Sequence, residues 1–121
     1  MKINKFEDLD CWKAARELVK MVYCHTGTKP WCHDWGLRDQ IQRAAISAMA
    51  NIAEGFATWS DLEFIRFLDY SIRSAIEVQS HLYAAADLEY INKNDFDIIY
   101  SKANDCIHLC RGLVKYLKNK T

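Results

Sequence analysis

Proline occurs once in this chain, at Pro30, and glycine only at Gly27, Gly36, Gly55 and Gly112. A sandwich or barrel of many short strands needs turn-formers at close intervals, so that class is excluded and long helices become the default. Net charge is lacking too. Sixteen Lys and Arg balance sixteen Asp and Glu, so no global field steers the protein toward nucleic acid or an anionic membrane. No uncharged apolar run approaches the roughly 18 residues of a membrane-spanning helix, and the start MKINKFEDLD has no signal-peptide core. The expectation is a soluble cytoplasmic protein without a membrane partner. Cysteines are odd in number (Cys11, Cys24, Cys32, Cys106 and Cys110). In a chain long enough to build a core, that favours reduced, mostly buried thiols over a disulfide framework.

What is present is helical periodicity. Half of the 121 residues are hydrophobic, which is enough for one domain over residues 1–121 with one core. From about Glu7 to Thr26, the residues Leu9, Trp12, Ala15, Val19, Val22 and Tyr23 recur at spacings of three and four, until Gly27 and Pro30 end the segment. In the link TKPWCHDWG, Trp31 and Trp35 are read as plugs for the end of a bundle, with a binding surface as the alternative. A second helix follows through Leu37, Ile41, Ala44, Ala45, Ala48, Ile52 and Phe56, and its AAISAMANIA run permits close helix approach.

Ser60 opens S-D-L-E, a capping-box pattern that predicts a third helix running to about Ala86. That helix carries two apolar stripes. One is Ile65, Leu68, Ile72, Ile76 and Leu82 or Tyr83; the other is Phe64, Phe67, Ser71, Ala75 and Val78. A helix in a lone bundle needs one stripe, so Phe64, Phe67, Ser71 and Val78 are expected to be buried against another subunit. A fourth helix, capped by Asn94 or Asp95, runs through about Lys118 with Phe96, Ile99, Ala103, Cys106 or Ile107, Cys110, Leu113, Val114 and Leu117 inward. Arg111, Lys115 and Lys118 share an outer face near its end, where the helix dipole favours cations even without a phosphate ligand. Four antiparallel helices with short links predict an all-α, up-down four-helix bundle.

Chemistry has little foothold. Cys106, His108 and Cys110 form CIHLC, but in a helix His108 points away from the two thiols, so no metal is expected. No nucleophile elbow, phosphate-binding glycine loop or H-E-x-x-H is present, and neither an enzymatic role nor a cofactor is expected. Polar groups on the middle helices (Arg38, Gln42, Arg43, Asn51, Glu54, Arg73, Ser74 and Glu77) read as a hydrogen-bonded network that fixes register, with phosphate-binding arginines as the alternative. Within it, Gly55 reads as a loosening of the second helix before Thr58 and the Ser60 cap.

The segments FEDLDCWKAARELV (6 to 19), GLRDQIQRAAISAMANIAEGF (36 to 56) and EFIRFLDYSIRSAIEVQSHLYAAADLEYI (63 to 91) resemble a known family, the bacterial 23S rRNA intervening-sequence proteins. Its relatives include the accessory variability determinant of diversity-generating retroelements. NIAEGF followed by E-F-x-x-F-L is the specific part of the match. The resemblance implies a four-helix bundle assembling as a ring-shaped homopentamer. For the retroelement relatives it also implies binding of a reverse transcriptase and its structured template RNA. Arg43, Asn51, Glu54 and Gly55 match the family's RRA and NIAEG segments, and Ser74 and Glu77 match its G-S-x-x-E, with Arg73 standing where a small residue is frequent. Retroelement accessory proteins are typically basic, whereas this chain is neutral. Any nucleic-acid surface must therefore be local, built from Lys13, Arg16, Lys20, Arg38, Arg111, Lys115 and Lys118 and multiplied over subunits.

Overall fold

The starts of the last three helices in this chain are set by short polar side chains. In the computed structural model, which describes residues 3–120, Asp34 accepts a hydrogen bond from the Leu37 amide at 3.1 Å and opens α2 (Trp35–Phe56). Ser60 accepts from the Glu63 amide at 3.3 Å and opens α3 (Asp61–Asp87). Asn92 accepts from the Asp95 amide at 2.8 Å and opens α4 (Lys93–Asn119). The α4 cap therefore precedes the expected Asn94 or Asp95, because Lys93 is already helical and Asp95 occupies the position whose amide the cap satisfies. α1 (Asp10–Thr26) follows a 3-10 turn at Phe6–Asp8 and has no side-chain cap. A second 3-10 turn at Trp31–His33 precedes α2.

α3 ends on a closed loop without glycine. Glu89 takes the left-handed conformation, φ 61°. The Tyr90 amide reaches the Ala85 carbonyl at 2.8 Å and the Glu89 amide reaches Ala86 at 3.0 Å. This is the Schellman arrangement, with a carboxylate residue holding the position usually given to glycine.

The four helices run up and down, α1 and α3 each lying against both α2 and α4. The buried interior falls into two stacked compartments. One holds Leu9, Cys11, Ile52, Phe64, Leu68, Cys110 and Leu117 among others. The second, toward the other end, holds Leu18, Val22, Trp31, Ile41, Val78, Leu82 and Ile99. No helix among the described residues is long and apolar enough to cross a membrane.

On α3 the core draws on both stripes. Phe64, Ser71, Ala75 and Val78, expected at a subunit interface, are buried inside the protomer, and Phe67 is half-buried. Of the stripe expected inward, Leu68 and Ile72 are buried, Ile65 is half-buried and Ile76 is 45% exposed; of Leu82 and Tyr83 it is Leu82 that turns in, Tyr83 being 56% exposed. The helix is wedged between α2 and α4, so its core line runs between the stripes through Phe64, Leu68, Ser71, Ile72, Ala75, Val78 and Leu82. Small residues lie where α2 comes near: the Ser71 hydroxyl donates to the Ala48 carbonyl at 2.7 Å. Gly55 belongs to the same contact. A Cβ there would stand 2.7 Å from Phe67 Cβ and 2.9 Å from Phe64 Cδ1, so its purpose is close approach of α2 to α3 rather than loosening. At the far end Trp31 is the buried plug and Trp35, paired with it in the sequence reading, is 72% exposed.

Candidate nucleic-acid interface

α1 turns its inward face slightly from the expected stripe. Cys11, Ala14, Ala15, Leu18, Val22 and Thr26 are buried, leaving Trp12 and Val19 half-buried at the flank facing α2. There, Trp12, Arg16, Glu17, Val19 and Lys20, with Met49 of α2, line a groove of about 730 Å³. Residues 12, 16 and 20 follow the four-residue spacing that stacks side chains along one helix face. The Phe6 ring meets Trp12 edge-on at 5.1 Å. The Arg16 guanidinium carbon lies 5.6 Å from the Trp12 ring centroid, a cation–π contact worth about 0.5–1 kcal/mol at an exposed site.

The candidate cations are not one surface. Arg16 and Lys20 share the Trp12 groove, whereas Lys13 lies across the α1 ridge in a second groove of about 450 Å³ with Lys102, Asp105 and His108. Arg38 braces the α1–α2 link by donating to the Cys32 carbonyl at 3.0 Å. Arg111, Lys115 and Lys118 are exposed on α4 and do not line the Trp12 groove. Among the described residues, Lys13, Lys20, Arg111, Lys115 and Lys118 have no side-chain hydrogen bond or ion pair. In the sequence Trp12 is one member of the periodic α1 stripe. The signal that could have singled it out is Arg16 four positions later.

The expected network on α2 and α3 resolves into local contacts. Asn51 donates to the Ser47 carbonyl and hydroxyl at 2.8 and 2.9 Å, and Ser74 donates to the Ser47 hydroxyl at 2.9 Å. That trio is the one part that joins the two helices. Arg43 pairs with Asp39 at 2.8 Å, and Glu77 with His81 at 3.0 Å, each one turn away on its own helix. Glu54 and Arg73 are exposed and have no partner among the described residues. A partner four residues along the same helix is nearer than one across a helix pair, which explains the difference.

Cys11, Cys106 and Cys110 are buried between α1 and α4. Their hydrogen bonds with Cys110, and then burial, push the Cys11 and Cys106 thiols well above the ordinary range. The same bonds would draw Cys110 down to about 4, but the proton count opposes this. The single Ser71 proton goes to Ala48, so across the 3.7 Å contact the Cys110 thiol must be the donor, and is protonated. A protonated, buried thiol is inert. With the aromatic disulfide reagent DTNB, exposed Cys24 is expected to react first and half-buried Cys32 more slowly, the other three only at the rate of unfolding. Rapid release from more than two thiols would contradict this. No group of three His, Cys, Asp or Glu among the described residues is placed to hold a metal ion.

The chain resembles the crystal structure, at 1.70 Å, of a protein of unknown function from the S23 ribosomal protein family of Bacteroides thetaiotaomicron VPI-5482. The TM-score is 0.79 at 23% identity, over 87% of this chain and 98% of that one. At that identity the likeness speaks for the shared bundle. No curated protein matches. Residues 7–112 match the 23S rRNA-intervening sequence proteins, and the chain belongs to that family.

Proposed function

We propose that this protein is a non-catalytic scaffold that assembles as a homo-oligomer, of five copies in the manner of the retroelement accessory proteins, and holds structured RNA for a reverse transcriptase partner. The observation that supports it is the pair of exposed cations Arg16 and Lys20 in the Trp12 groove, with Lys13 across the α1 ridge, none of which has an ion pair among the described residues. A neutral monomer holds a polyanion weakly through three charges. Copies of these cations on one ring act as a multivalent site. For assembly, exposed Ile46 and Ile76 and the unpaired Glu54 and Arg73 take the place of the buried α3 stripe. Opposite charges without a partner at home fit a second copy.

Fluorescence polarisation with a labelled folded RNA, alongside light scattering, tests this. Affinity is expected to fall steeply as salt rises, and Lys13→Ala with Lys20→Ala to flatten the salt slope by about one unit per lysine lost. An RNA affinity that ignores salt, or a monomer in solution, would sink the reading. The second reading is a self-assembling, protein-binding bundle without nucleic acid. It is favoured by the zero net charge and by Trp59, fully exposed near Leu62, itself 77% exposed, at the α2–α3 connection. An oligomer that shows no RNA binding would select it.

A further inference from the structure

We infer that the α1–α2 groove receives an unpaired nucleotide, so that the RNA is single-stranded where α1 holds it; this rests on the nucleic-acid reading above. A duplex hides its base faces and offers phosphates and base edges, for which cations alone suffice. The groove supplies more. Its indole packs in a T-shaped contact with Phe6, the Arg16 guanidinium carbon lies over it 5.6 Å from the ring centroid, and Arg16 is exposed. A base laid on that guanidinium completes a stack of three planar groups, with Arg16 acting through its plane as well as its charge.

The remaining wall suits one nucleotide. Val19 and Met49 give an apolar surface, while Lys20, one turn beyond Arg16 and without an ion pair among the described residues, is positioned for a phosphate. Glu17 is the one acid among the lining residues. A phosphate has nothing to offer a carboxylate, but a base carries amino and imino hydrogens for it. At about 730 Å³ the space falls within the range of small-ligand sites.

The test uses the full chain with a fluorescein-labelled single-stranded RNA and the same strand annealed to its complement. The single strand is expected to bind at least about tenfold more tightly. Trp12→Ala, which removes the ring beneath Arg16, should weaken the single strand by about two- to fivefold. Because Trp12 also packs on Phe6, Arg16→Lys serves as the second variant. It keeps the charge and removes the plane, so it should weaken the single strand and leave the duplex within about twofold. Equal affinity for both RNAs, with Arg16→Lys silent, overturns this inference and leaves the nucleic-acid reading standing. Binding of neither overturns both.

Discussion

Trp31→Ala should lower the unfolding free energy by about 3–5 kcal/mol, the cost of emptying a large buried aromatic site. Trp31 is 1% exposed and stacks on Tyr90, with ring centroids 6.0 Å apart. The Tyr90 hydroxyl donates to Asp34 at 2.9 Å, and Asp34 also caps α2. Removing the indole therefore leaves a hole and unseats the ring that steadies a cap. Trp31→Phe separates shape from polarity. The Trp31 Nε1 group is buried and has no partner among the described residues, and a buried unpaired donor costs about 1–3 kcal/mol. The phenyl variant discards that burden along with some contact area, and is expected to lose no more than about 1.5 kcal/mol. Urea unfolding followed by circular dichroism compares them. A loss below about 1 kcal/mol for Trp31→Ala would show that the plug carries little of the stability.

Gly55→Val should cost about 3 kcal/mol or more, near the upper end for overpacking. The obstacle is the Phe67 Cβ atom, 2.7 Å from where a new Cβ would stand, with Phe64 Cδ1 at 2.9 Å. Phe67 Cβ is fixed to the α3 backbone and cannot swing aside, so the helices must separate. Separation would also strain the Ser71 bond to Ala48 and the Ser74 bond to Ser47. Alanine meets the same clash, partly offset by about 1 kcal/mol of helix propensity, so Gly55→Ala should fall between wild type and the valine variant. If Gly55→Ala proves more stable than wild type by thermal melting, helix weakening rather than close approach was what the glycine imposed.

Much of the bundle was legible from spacing. Ser60 marked the α3 start, and Ile99, Ala103, Cys110 and Leu117 lie inward on α4 as their periodicity implies. The misreadings share a physical cause. Period alone shows that α3 has a broad apolar arc; its centre is chosen by neighbours, and the alanine-rich face of α2 draws Ser71 and Ala75 inward. Gly55 was visible as a small residue, but Phe64 and Phe67 as its neighbours were not. Charges such as Arg43 and Glu77 looked ready to bridge helices, whereas each had a closer partner one turn away. For the candidate site, the cations of α1 were evident, but their division between two grooves depends on the rotation of α1 about its own axis.

Since all four helices thread both compartments of the interior, neither half can melt privately. Loosening one end would strand the other as a set of short stubs, each too brief to stay wound in water. The rod should therefore behave as a single lever, able to carry a push from one tip to the other without a hinge between them.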